Sequence, residues 1–219
     1  LLYNFPLSRP LIFKTGTPGL ASSTEEPRVN RISYISKRKL LVLLIVVCQP
    51  FVTDCSRKVY PEASFKNINT PAEKQKMDDF ISAGIEKEID THDASADEII
   101  NTARQYLGVP HCMGGTTMKC MDCSGLLVTV FAGHGIQLPH SSEEQARFGI
   151  VISKKEYLRK GDMVFFIRSY KTSHFITHSG IYLGDNRFIH TSSSDGVTVT
   201  SLDDPWWNER YIFGTRVFK

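Results

Sequence analysis

The chain has no charge of one sign to spare: 26 Lys and Arg face 23 Asp and Glu, leaving +3 over 219 residues. The basic residues gather toward the N-terminus and no stripe alternates them with aromatics. This argues against nucleic acid as a partner, since a binder of that kind needs a basic face. Internal repeats are missing, and so is any glycine loop of the type that cradles phosphates. No uninterrupted apolar run reaches the roughly 20 residues a spanning helix requires. What remains is a chain of ordinary globular composition, long enough for one domain plus extra segments.

Those extra segments precede residue 94. Residues 1–36 read as neither a domain nor a leader and are taken as a doubtful N-terminal extension. Lys37-Arg38-Lys39 followed by the apolar run from Leu40, broken at Gln49 and Pro50, has the basic and greasy halves of an export signal. Residues 37–55 are therefore assigned as a signal peptide. Its end at Val52-Thr53-Asp54-Cys55 fits a lipoprotein signal, with Cys55 as the acylated residue, although Asp54 stands where small residues are the rule. Residues 56–93 form a polar linker with one helix, whose Phe80, Ile81, Ile85 and Ile89 recur at helical spacing.

Chemistry begins at Met121-Asp122-Cys123-Ser124-Gly125, which leads into the apolar run Leu126–Phe131. This places Cys123 at a turn-to-helix junction, where the backbone N–H groups and the helix dipole favour thiolate. Downstream, His178 and His190 flank Gly184-Asp185-Asn186, a turn signal between strand-forming residues. The two histidines have the same parity and fall roughly opposite each other across the hairpin, so they project from one sheet face. A thiol at a helix start facing two imidazoles is the arrangement nucleophilic catalysis needs: Cys123 attacks, His178 takes the proton, His190 fixes the tautomer of His178. The backbone N–H of Cys123 is the natural oxyanion donor.

Further segments, in order, strengthen this: Ala103–Pro110, Gly114-Gly115, Asp122–Gly125, Gly135–Pro139, Ser142 with Gln145, Lys160–Phe166, His178–Gly184 and Phe188–His190. Together they resemble the NlpC/P60 cysteine peptidases of bacterial cell walls. The resemblance implies a papain-like α+β domain over 94–219 and hydrolysis of the γ-D-glutamyl to diamino acid bond of peptidoglycan stem peptides. It also implies a substrate-binding role for Asp122, with His111 and Ser124 beside it, toward a free L-alanine amine. Three positions depart from the family pattern: His111 stands for a tyrosine, His140 for an arginine, and Ser179 for an apolar residue. A non-catalytic wall-binding domain and a related amidase or transpeptidase remain the alternatives.

His111, Cys112, Cys120 and Cys123 also have to be read as a zinc set, but adjacent His-Cys closes a tetrahedron poorly, and no metal or other cofactor is assigned. In an oxidising compartment the cysteines allow either a Cys112–Cys120 disulfide that leaves Cys123 free or a Cys120–Cys123 bridge that silences it. Ser95 with Glu98 forms a capping box that opens a helix running to about Leu107. Helices first and strands afterwards predict an α+β fold, the Cys123 helix laid on an antiparallel sheet of five or six strands. Trp206 and Trp207 are expected to cover a sheet edge rather than bind sugar, and no sequence argument brings the cleft close to them. The expected setting is the bacterial cell envelope, as a monomer, exported and anchored to the membrane through Cys55.

Overall fold

The computed structural model describes residues 65–219. The extension 1–36, the signal 37–55 with Cys55, and the first residues of the linker lie outside them. Among the described residues no helix is long and apolar enough to cross a membrane.

Helix α1 (Pro71–Ser82) opens on a capping box, Thr70 with Glu73, and puts a proline in its first turn, where the missing N–H costs nothing. It ends at Ser82 because the chain turns at Gly84, whose φ of +102° suits glycine. The helical spacing read through Ile85 and Ile89 is thus broken, though both side chains still pack on the core. Helix α2 (Ala96–Arg104) starts at the Ser95–Glu98 box as its sequence demands, and stops short of Leu107, which is exposed.

Helix α3 (Cys123–Ala132) is capped by Asp122, whose side chain accepts from Gly125 N–H. A two-stranded ribbon, β1 (Thr116–Thr117) with β2 (Cys120–Met121), delivers the chain to that cap. Two glycines permit the approach. A Cβ on Gly125 would meet the Gly115 carbonyl oxygen at 2.0 Å, and one on Gly115 would meet Cys112 Sγ at 2.4 Å. The Gly-Gly and Asp-Cys-Ser-Gly segments are therefore one packed unit.

After the short helix α4 (Ser142–Gln145) come β3 (Ile150–Ile152), β4 (Met163–Phe166), β5 (His178–Gly184), β6 (Arg187–Ser192) and β7 (Gly196–Ser201). A one-turn helix, α5 (Pro205–Asn208), and β8 (Tyr211–Arg216) follow. Six strands make one antiparallel sheet in the order β3-β8-β4-β5-β6-β7. Its central strands alternate sides. Met163, Phe165, Ile181 and Ile189 meet Leu126, Leu127, Val130 and Phe131 of the helical layer. Val164, Phe166, Tyr182 and Phe188 form a second cluster on the other face, where Trp207 packs on them.

The segment before α2 is docked on this domain. Met77 and Phe80 of α1 are buried in the main core, and Phe65 sits edge-on to Phe213. Arg147 clamps it: Nη1 donates to the carbonyls of Phe80 and Gly84, both at 2.9 Å, and the guanidinium lies over the Phe80 ring.

Candidate active site

A cleft of about 580 Å³ opens where the N-terminus of α3 meets the first residue of β5. Cys123 and His178 both line it, while His190 sits behind His178 and is 1% exposed. The tight turn between β5 and β6 uses Asp185 and Asn186, both at positive φ, and sets the register that brings the rings together. His178 Nε2 and His190 Nδ1 are 3.0 Å apart, and His190 Nε2 is 3.0 Å from Thr200 Oγ1. One proton fits between the two rings. If His178 carries it, His190 accepts, and the His190 proton goes to Thr200; His178 Nδ1 is then an open base on the cleft side.

Both histidines belong to the sheet face opposite the helices, under an aromatic cover. Trp207 lies 4.7 Å from the His178 ring and 4.5 Å from the His190 ring, and Phe188 stacks on His190 at 4.5 Å. Trp206 and Trp207 line the cleft, and Trp207 packs on a sheet face where a sheet-edge cover was expected. The one-turn helix α5, capped by Asp204, carries them over the sheet face beside the histidines, a placement no local pattern in the sequence announces. Burial holds His178 well below the usual imidazole range, with His190 and His111 adding to the effect. Burial likewise lowers His190, to about 3.

Cys123 is the free cysteine among the described residues; Cys112 and Cys120 are joined in a disulfide. The zinc reading thereby loses two of its four donors to each other. Burial pushes the Cys123 thiol up and the Asp122 carboxylate pushes the same way, against the helix-start effect expected from the sequence. Ser142 Oγ is 3.5 Å from the sulfur and 3.0 Å from Ser179 Oγ, which donates to Gln145 Oε1 at 3.1 Å. Gln145 Nε2 spends its protons on the carbonyls of Ser124 and Pro139. The orientation of the whole chain follows: Ser179 gives its proton to Gln145, Ser142 gives its own to Ser179, and Cys123 S–H donates to Ser142. The resting arrangement thus holds a thiol; Ser142 lowers the thiol only by turning its hydroxyl to the sulfur. The backbone N–H groups of Ser179 and Ser124 also favour the anion.

Asp122 accepts four hydrogen bonds. Oδ1 takes Gly125 N–H at 2.6 Å, Ser124 Oγ at 3.0 Å and His140 Nε2 at 3.0 Å; Oδ2 takes Gly114 N–H at 2.7 Å. Burial pushes this carboxyl up, but the four donors together outweigh it and hold it below the usual range. Ser124 is buried and committed to Asp122, while His111 and His140 line the cleft. The sequence singled out His140 only as a departure from pattern, gave no sign of Thr200, and marked Ser142, Gln145 and Ser179 without the chain that joins them.

A helix laid on an antiparallel sheet, with a free thiol at the helix start and a histidine at the start of a strand lining one cleft, is the layout of a papain-like α+β domain. This chain belongs to the NlpC/P60 family, whose model matches residues 108–216. It is 40% identical over 114 residues to a protein of Haemophilus influenzae named "Probable endopeptidase NlpC homolog", covering 52% of this chain and 58% of that one. It is 31% identical over 178 residues to the Escherichia coli K12 "Murein DD-endopeptidase MepS/Murein LD-carboxypeptidase", covering 81% of this chain and 88% of that one. A Bacillus cereus "Gamma-D-glutamyl-L-lysine dipeptidyl-peptidase" is 35% identical over 123 residues, 56% of this chain and 36% of that one. The crystal structure of a B. cereus NlpC/P60 family protein superposes with a TM-score of 0.53 at 34% identity, covering 57% of this chain and 41% of the other.

Proposed function

We propose that this protein is a cysteine endopeptidase of peptidoglycan stem peptides, with Cys123 as nucleophile, His178 as base and His190 as the residue that orients it. The observation that carries the reading is the His178 Nε2–His190 Nδ1 hydrogen bond, which leaves Nδ1 of a buried histidine for a cleft that also holds a free thiol. Burial alone disfavours both the thiolate and the imidazolium, yet passing a proton from Cys123 to His178 keeps the pair neutral overall and evades part of that cost. The thiolate attacks the scissile carbonyl, and the N–H of Cys123, at the first position of α3 with no intrahelical acceptor, faces the developing oxyanion. His178 then protonates the leaving amine and activates the water that releases the acyl group.

The bond favoured is that between γ-D-glutamate and the diamino acid. Oδ2 of Asp122 has a single donor and retains an acceptor position for an ammonium group, as a free L-alanine amine would require. His111 and Ser124 complete that end of the cleft. The name of the B. cereus relative supports this bond, and the name of the E. coli relative supports the D-alanyl cross-link instead. Product masses from tripeptide, tetrapeptide and cross-linked fragments separate the two: loss of the diamino acid together with everything after it is expected. Release of intact single stems from a cross-linked pair would replace this assignment with the cross-link. The site of action is the cell envelope, and acylation of Cys55 to hold the enzyme on a membrane belongs to the same proposal.

A further inference from the structure

A second cavity, of about 510 Å³, adjoins the cleft and shares Tyr170 and His174 with it. Its far wall is α1, which contributes Glu73 and Lys76. The family match begins at residue 108, so this wall comes from outside it. The loop after β4 supplies Arg168, Lys171 and Thr172.

The charges in the cavity do not cancel. The Glu73 carboxylate is already paired with a cation: Oε1 accepts from Arg168 at 3.1 Å, and Oε2 accepts the N–H groups of Asn69 and Thr70. His174 is turned to Glu143 at 3.3 Å. The Lys76 ammonium donates to a neutral group, the Ser173 carbonyl, at 3.2 Å. Among the described residues no carboxylate forms an ion pair with Lys76 or Lys171. Two ammonium groups on flexible stems thus border a concavity whose one lining acid is already paired with Arg168. That chemistry selects a carboxylate-bearing peptide over a neutral one.

We propose that this cavity is a subsite for a carboxylate arm of an extended substrate, namely the second stem of a cross-linked peptide pair, led across Tyr170 from Cys123 to α1. The inference rests on the proposed function, because the cleft must hold the first stem. A single-stem fragment fills the cleft alone; a cross-linked one adds free carboxylates beyond it. Domains trimmed to the family span would lose the α1 wall and with it the discrimination.

Binding is measured by calorimetry with the full chain in a Cys123→Ala background, using a single-stem tetrapeptide and a purified cross-linked pair. The Lys76→Gln/Lys171→Gln double variant is expected to weaken the cross-linked ligand roughly five- to tenfold, as two partly exposed charge contacts allow. The single stem should bind unchanged, and Lys154→Gln, a surface control, should change neither. Equal weakening of both ligands, or of neither, overturns the subsite. Hydrolysis by the chain with its native Cys123 is followed in parallel. Lysine-dependent binding without any hydrolysis would remove the proposed function and leave the subsite; hydrolysis with lysine-independent binding would do the reverse.

Discussion

At the scale of single residues the site is governed by where protons must sit. Ser179 has one proton, and Gln145 claims it because the Gln145 amide is oriented by two carbonyls. The consequence runs through Ser142 to Cys123, which is held as a thiol. Replacing Ser179 by alanine frees the Ser142 hydroxyl to donate to sulfur. A hydrogen bond to a charged group is worth roughly 1.5 kcal/mol or more, about one pKa unit. Ser179→Ala is therefore expected to speed alkylation of Cys123 at neutral pH about tenfold, and Ser142→Ala to give no such gain. An unchanged or slower rate in Ser179→Ala would show that the proton order is wrong. Ser179 stood out in the sequence as a departure from the pattern the resemblance implies, but its pairing with Gln145, 34 residues away, did not. The pairing of His178 with His190 was legible because it follows from one turn signal and parity. Thr200 was not, since a threonine on a strand carries no mark of facing a ring nitrogen.

At the scale of elements, caps announced helices better than apolar spacing did. The Ser95–Glu98 box marks the start of α2 in the sequence and in the fold. The stripe from Phe80 to Ile89 overran the true end of α1, because a glycine turn interrupts it while the same side chains still find the core. Strand β3 and the β1–β2 ribbon are too short to carry a pattern of their own. What fastens α1 is Arg147, a buried cation satisfied by two backbone carbonyls and Glu144. Arg147→Ala leaves those carbonyls without their donor. A loss of about 2–4 kcal/mol is expected in denaturant unfolding, with faster proteolysis between Ser82 and Ala94 under native conditions. Unchanged stability together with unchanged cutting would mean that α1 is held by its apolar contacts alone.

Across the whole molecule, the two buried histidines tie folding to pH. In the unfolded chain each titrates near its ordinary value of about 6.5. In the fold burial lowers both, His190 to about 3. The unfolded state then binds more protons throughout that interval, so stability rises with pH there and falls as the solution is acidified below about 6.5. Between pH 7 and pH 5 His190 should cost about 2 kcal/mol, and His178 acts in the same direction. His190→Gln should reduce the drop by about 2 kcal/mol, measured by urea unfolding at the two pH values. A drop of the same size in the variant would assign the effect to other groups. Fold class and the meeting of His178 with His190 were thus readable from order and spacing along the chain. The aromatic cover, the polar relay and the docking of α1 were not, because each joins segments far apart in sequence through contacts that leave no local pattern. The central claim, that Cys123 cuts wall peptides, is tested most directly by incubating the full chain and its Cys123→Ser variant with purified stem-peptide fragments and reading products by mass. Cleavage by the native chain, with loss of at least a thousandfold in the variant, is the result predicted for removal of a nucleophile. Cleavage that survives in Cys123→Ser, or is absent from both, would contradict it.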